Sequence, residues 1–256
     1  MNIVIDITAK VNSELACGHI RDISPVREAV IHLTDDAKLA YELSQNGKLV
    51  VPIYKEDNDD FDYSSYQYLI TDPDEVDEDY YLKIWLRLNN LPWHILDTKR
   101  LSIREMTEQD VSALYELYED PVMTKYTEAL FPEYEDEVTY TRNYIANVYS
   151  YFGFGTWIVE RKCDCKIIGR AGFNYRVGFD NPELGYLIGL PYQRQGYAYE
   201  ACHAIMNYLK VEYQISSINA FSHPDNLASI RLLDKLGFVK TVSTDLVPNL
   251  DRYIFD

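Results

Sequence analysis

The stretch Leu190-Pro-Tyr-Gln-Arg-Gln-Gly-Tyr-Ala-Tyr-Glu-Ala201, LPYQRQGYAYEA, stands between an apolar run and a helical pattern. The run before it, Glu183-Leu-Gly-Tyr-Leu-Ile-Gly-Leu-Pro191, reads as a strand. After it, the spacing predicts a helix over about Tyr197–Glu212. The chain must turn at once from strand to helix. Such a turn leaves the first helical N–H groups without intrahelical partners, at the positive end of the helix dipole. That arrangement binds anions. Gly196 lets the backbone approach a ligand closely, Ala198 keeps the next position small, and Arg194 adds charge at the edge. A diphosphate suits this geometry. On these residues alone, a merely tight turn explains the stretch equally well.

Downstream, SSINAFS reads as a strand and NLASIRLLDKLG as a helix ended by Gly237. FVKTVS and DRYIFD read as further strands. Upstream, GTWIVER, KIIGRAGFNYR and PELGYLIGL are joined by short polar or glycine-containing connections, which predicts an antiparallel meander. Before them come a strand, RLSIREM, and a helix in TEQDVSALYELYED, with Thr107 as N-cap and Asp110 three residues on. A second helix is predicted from about Glu135 to Tyr151.

The first part of the chain reads as short α/β units. Glu28–Leu33 is an apolar strand, and the helix after it starts near Thr34, a candidate N-cap, and stops at Gly47. KLVVPIY is the next strand, 66–71 another, and a helix runs from about Val76 to Asn89. This order predicts a small parallel layer. LPWHILDTKR (Leu91–Arg100) reads as the junction. We therefore expect residues 1–97 to form a small α/β domain and residues 98–256 a larger one. The sequence leaves the role of the first open among regulation, substrate recruitment and formation of a homodimer.

Composition narrows the function classes. The net charge is −17, and residues 1–97 carry 8 Lys and Arg against 19 Asp and Glu. A nucleic-acid partner is not expected, because phosphate backbones need a basic face. An amine or a basic peptide is electrostatically easier, although acidic surfaces also serve solubility alone. No apolar run nears the roughly 20 residues of a membrane span, and the N-terminus lacks a signal-peptide layout, so a cytoplasmic location is expected. Cys17, Cys163, Cys165 and Cys202 have no disulfide-framework spacing. Cys163-Asp-Cys165 lacks further ligands at metal spacing and reads as a polar turn; no metal is expected.

The order of parts in the second half carries a resemblance. Gln193, Gly196 and Ala198 match the pyrophosphate motif Q/R-x-x-G-x-G/A of the GNAT acetyltransferase superfamily. Asn226, Ser229, Leu232, Lys235, Gly237 and Phe238 match its later motif, N-x-x-A/S-x-x-L-x-x-K-x-G-F. Residues from about 101 to 243 resemble a GNAT domain, and Glu-Leu-Gly-Tyr with GYAYEA resembles the branch of ribosomal-protein alanine N-acetyltransferases. The resemblance implies an α/β fold with a mostly antiparallel central sheet, and acetyl-CoA as cofactor. It implies that the backbone of Leu187, Ile188 and Leu190 pairs with the pantetheine arm like an added strand. It further implies that Gln193, Arg194, Gln195, Gly196, Tyr197 and Ala198 hold the pyrophosphate and that Asn226 and Ser229 meet the arm from the far side.

The reaction implied is direct acetyl transfer to a primary amine, on a protein N-terminus or a small molecule. An ammonium must lose a proton before it attacks, and Glu183, opening the cofactor strand, is the candidate base. Many relatives protonate the leaving sulfur with a tyrosine four residues before the motif glycine. Here that residue is Leu233, and Ser229 is the candidate replacement. The same departure motivates an alternative: a catalytically degenerate acyl-CoA sensor or scaffold. The aromatic residues Tyr140, Tyr144, Tyr149, Tyr151, Phe152, Phe154 and Trp157 are candidates for an acceptor wall or for packing. His223 is a lesser candidate near the acceptor. His94 and His203 read as surface or packing residues.

Overall fold

A computed structural model describes residues 2–18, 23–242 and 246–256. The chain divides into two compact units, Met1–Trp93 and His94–Asp256. The expected boundary lay four residues later. His94–Asp97 is a strand paired with the next hairpin arm, which ties it to the second unit.

The first unit runs β1 (Asn2–Asp6), α1 (Thr8–Ala16), β2 (Val30–Thr34), α2 (Ala37–Gln45), β3 (Leu49–Pro52) and α3 (Glu78–Leu88). Its sheet has the order β1-β2-β3. The predicted parallel pair is β2–β3, with Ile31 opposite Leu49, while β1 adds an antiparallel edge that the sequence reading did not include. Ile31 and Leu33 alternate inward from β2 and are fully buried with Val11, Leu82 and Ile84. The α2 cap is Asp36, whose carboxylate accepts from Lys38 N and Leu39 N at 2.9 and 3.0 Å; Thr34 belongs to β2 and accepts from Asp36 N. The strand expected over 66–71 is not formed. Ile70 makes a single parallel bridge to Ile53, because 3₁₀ turns at Tyr63–Ser65 and Pro73–Glu75 bracket it.

The second unit contains β4 (His94–Asp97), β5 (Leu101–Arg104), α4 (Val111–Tyr118), α5 (Tyr134–Tyr144), α6 (Ser150–Phe152), β6 (Thr156–Arg161), β7 (Lys166–Asn174), β8 (Glu183–Ile188), α7 (Tyr197–Glu212), β9 (Ile218–Ser222), α8 (Leu227–Leu236), β10 (Val239–Lys240) and β11 (Asp251–Phe255). Ser243, the end of the strand read in FVKTVS, lies outside the described residues. Thr107 and Asp110 form the expected capping box, with Thr107 N donating to Asp110 Oδ2 at 2.7 Å. Asp110 also holds the buried Arg104 through two bonds of 2.8 Å. The helix expected over 135–151 is interrupted by a π turn, Ile145–Tyr149.

The eight-stranded sheet has the order β10-β11-β9-β8-β7-β6-β5-β4. Every neighbouring pair is antiparallel except β8–β9. That parallel pair touches in register at one place, Glu183 opposite Asn219. Beyond it the two strands diverge toward their C-terminal ends. Trp157, Phe173, Leu184, Cys202 and Ile205 pack between the sheet and α7. Among the described residues no helix is long and apolar enough to cross a membrane.

Candidate active site

The divergence of β8 and β9 is the opening in the sheet, and the quoted stretch lies at its wide end. Leu190–Tyr192 forms a 3₁₀ turn, then Arg194 and Gly196 both take left-handed backbone, at φ 59° and 83°. Gly196 caps α7, whose sixteen residues give it a full dipole. A Cβ on Gly196 would meet only Arg100, at 3.4 Å, so its backbone conformation is the stronger reason for glycine.

The turn is fastened from the β4–β5 hairpin. Arg100 Nη1 donates to Gln195 O at 2.9 Å, and its guanidinium lies 4.3 Å from the Tyr197 ring centre. Glu200, one turn into α7, accepts from Thr98 Oγ1 at 2.6 Å, from Arg100 N at 2.9 Å and from Arg100 Nε at 2.6 Å. Burial raises the pKa of this carboxyl, and the bonds from Thr98 and Arg100 more than reverse it, leaving it below its ordinary value. Thr98, Arg100 and Glu200 were not singled out from the sequence. Thr98 and Arg100 are 102 and 100 residues from Glu200, and no local pattern joins them.

Several of the expected cofactor residues have partners within the protein. Gln193 Nε2 donates to Ile188 O at 2.9 Å, which braces the turn against the end of β8. Gln195 Nε2 donates to Pro191 O. Gly189 N–H bonds Ile168 on the β7 side, while Pro182 C=O accepts from Asn219 on the β9 side. Backbone groups alternate sides along a strand, so Leu187 faces β7 and Ile188 faces the opening. Leu190 is exposed, and Tyr197 is buried beneath Arg100. Asn226 Oδ1 caps α8 by accepting from Ser229 N at 3.2 Å.

Side chains on β8 alternate between two faces. Glu183 and Gly185 share one face with their partners Asn174 and Gly172 on β7. Glu183 accepts two bonds from Arg176, 2.5 Å from Nε and 3.0 Å from Nη2. Asn174 accepts from Tyr144 Oη at 2.6 Å, and Tyr149 is fully buried with its hydroxyl on Thr156 O. Of the expected aromatic wall, Tyr144 adjoins Asn174, Phe154 and Trp157 are core residues, and Tyr151 is exposed.

Tyr186 is on the other face of β8. Its hydroxyl lies 2.9 Å from Ser229 Oγ, and burial pushes its pKa well above the ordinary phenol value, so it stays protonated. The sequence reading named Ser229 but not Tyr186; their contact depends on where α8 docks. Leu233 is buried in the core, and Cys202 is buried with its thiol pushed up by burial, so it offers no thiolate nucleophile.

A strap crosses the wide end of the opening. Gln193 Nε2 lies 3.7 Å from Met123 Sδ, next to β8. Three residues on, Tyr126 stacks on His223 at 5.3 Å and donates to Asp225 O at 3.2 Å, next to β9. His223 Nδ1 accepts from Asp225 N, so the neutral ring carries its proton on Nε2 and offers no free nitrogen as base. His203 stacks on Tyr199 at the surface of α7, and His94 pairs with Asp97.

A profile of the acetyltransferase (GNAT) domain matches residues 100–239. The chain is 33% identical over 143 residues to the uncharacterized N-acetyltransferase YnaD of Bacillus subtilis, covering 56% of this chain and 81% of that protein. It is 29% identical over 163 residues to the [ribosomal protein uS5]-alanine N-acetyltransferase of Escherichia coli, covering 59% of this chain and 81% of the relative. The crystal structure of a GNAT-family acetyltransferase from Bacillus anthracis superimposes with a TM-score of 0.51 at 27% identity, over 64% of this chain and 96% of that one. The diverging parallel pair, the left-handed turn on α7 and these likenesses agree: the chain belongs to the GNAT acetyltransferase family.

Proposed function

We propose that the protein transfers the acetyl group of acetyl-CoA to a primary amine. The observation that carries this is the β8–β9 divergence ending in the Arg194–Gly196 turn. The fit of the cofactor rests on groups of this chain. The first N–H groups of α7 face an anion with no side chain at Gly196 to obstruct it. Arg194 stands beside them. Ile188 has its backbone toward the opening, and the Nδ2 amide of Asn226 is left to meet a ligand carbonyl while Oδ1 caps α8. When bound, acetyl-CoA supplies an activated acyl group on a thiol leaving group.

The chain's own groups supply the rest. Glu183 accepts a proton from the acceptor ammonium on one face of β8. Backbone N–H groups on the open side of β8 stabilise charge on the acyl oxygen. Ser229, backed by the protonated Tyr186, donates toward the leaving sulfur from the other face. The acceptor nitrogen gains the acetyl carbon and gives up two protons. One ends on the thiol and one in solvent. The amine and the leaving group are thus served from opposite faces of one strand.

The test is thiol release from acetyl-CoA across a panel of amines and peptides. Glu183→Gln is expected to lower turnover far more than acetyl-CoA affinity; unchanged turnover removes Glu183 as base. The buried Leu233, in the position of the usual tyrosine, favours a second reading as an acyl-CoA sensor. Tight CoA binding with no transfer to any amine in the panel would select it.

A further inference from the structure

One wall of the site bears on the acceptor's chemistry. A cavity of about 260 Å³ is lined by Asn174, Tyr175, Arg176, Glu183 and Gly185. At Gly185 its floor is bare backbone, while the neighbouring Gly172 is covered by the backbone of Gly155. A Cβ on Gly185 would meet nothing within 4 Å, and the residue paired with it on β7 is Gly172. The volume lies just below the usual range of ligand pockets, about 300–1,000 Å³, which suits a small metabolite.

The wall is the Arg176–Glu183 pair. Both Glu183 oxygens are held, and the side chains are 39% and 18% exposed. Each Glu183 oxygen keeps a second lone pair, but the guanidinium, charged at any working pH, stands beside them and repels an incoming ammonium. Moving it with nothing in return separates two partly buried charges, which is unfavourable. Arg176 has a second support. Its guanidinium lies 5.0 Å from the Phe221 ring centre, and Phe221 packs edge-on against Phe179 at 5.0 Å. Nη1 makes no hydrogen bond to the described residues.

A ligand carrying both charges meets both halves of the pair. We infer that the acceptor is a small zwitterionic amine, with a carboxylate a few atoms from its nitrogen as in a free α-amino acid, which inserts between Glu183 and Arg176. Its ammonium takes the guanidinium's place at Glu183. Its carboxylate receives the two-pronged bond that Arg176 gave up. An N-terminal residue of a protein has an amide where this carboxylate would be and leaves Arg176 uncompensated. The inference rests on the acetyltransferase reading with Glu183 as base; the transfer step and its protons are unchanged.

The experiment uses the full chain with saturating acetyl-CoA. Thiol release is measured with the standard L-amino acids, each paired with its α-carboxamide, and with short peptides; acetyl-CoA binding is measured separately by calorimetry. At least one free amino acid is expected to exceed its amide by about tenfold or more in kcat/KM, the value of one charge-assisted bond. In Arg176→Gln that ratio is expected to fall to near one, mainly through KM, with acetyl-CoA affinity unchanged. Arg176→Lys, which keeps the charge and loses the fork, is expected to fall between. Amides or peptides that react as well as the free acids overturn the inference, as does a ratio that survives Arg176→Gln. Those results leave the acetyltransferase reading standing. Acetyl-CoA that binds but is consumed with no amine, or fails to bind, overturns both.

Discussion

Glu200→Gln tests whether the fastening of the α7 turn, rather than its sequence alone, prepares it for the cofactor. The substitution keeps shape and one acceptor oxygen, which still serves Thr98 Oγ1 and Arg100 N. It puts an amide N–H₂ against Arg100 Nε, where a carboxylate oxygen now accepts at 2.6 Å. A bond to a charged group contributes about 1.5–3 kcal/mol. The Arg100 side chain is 40% exposed, so the lower end applies, about 1–2 kcal/mol after solvent screening. At about 2–4 °C per kcal/mol, Tm falls by about 2–8 °C. Released at one end, Arg100 also holds Gln195 O less firmly, and losing about 0.5–1.5 kcal/mol of that charge-assisted bond converts to an acetyl-CoA Kd about two- to tenfold higher. Thermal unfolding and calorimetric titration read the two effects. The sign with pH is fixed. The folded-state pKa of Glu200 is depressed, so its contribution is full above the ordinary 4.5 and is lost as pH falls through the lower folded value. The gap in Tm between the native chain and the variant therefore closes below that pH. A lower Tm with an unchanged Kd would refute the idea that this fastening readies the turn. A gap that persists unchanged well below pH 4.5 would refute the role of the charge.

Three further outcomes are expected. Gly185→Val puts side chain into the cavity where a Cβ meets nothing, so acceptor KM should rise by about tenfold or more with Tm little changed, measured by steady-state kinetics and thermal unfolding. Asp110→Ala leaves the buried Arg104 with Glu105 O at 3.1 Å and, as its carboxylate, the more distant Glu160 at 3.6 Å, and should cost about 3–5 kcal/mol in denaturant unfolding without altering the site. Tyr186→Phe removes the hydroxyl behind Ser229; about 1 kcal/mol of stability is expected to go, with kcat lowered more than either KM, and Ser229→Ala should give a similar kcat.

The local features of the site could be read in the chain because local rules decide them. Tyr197–Glu212 has the bounds expected, since Gly196 starts it and its apolar positions repeat every turn. The same holds for the Thr107–Asp110 box and for the glycine stop of α8. The failures have physical causes. The run at 66–71 is apolar enough for a strand, but the turn at Asp72-Pro73 leaves Ile70 room for one bridge only. The π turn in 145–149 adds a residue to a helical repeat, which composition does not signal. Arg100–Glu200 and Tyr186–Ser229 could not be read, because each depends on docking between elements 43 or more residues apart. Arg176–Glu183 is nearer. The hairpin register that pairs Asn174 with Glu183 brings Arg176 alongside, and that register was within reach of the sequence.

The strap from Met123 to Tyr126 turns a fork into a closed loop. A forked gap admits a rod from the side; a loop admits it only end-on. Were acetyl-CoA the donor, as proposed above, its slender acyl tip would thread such a loop ahead of its bulky nucleotide. Such a loop would restrict bulky acyl groups, a choice made before chemistry begins. Loosening the Tyr126–His223 stack should widen that choice, with longer acyl donors gaining entry while the base and the acceptor cavity stay as they are.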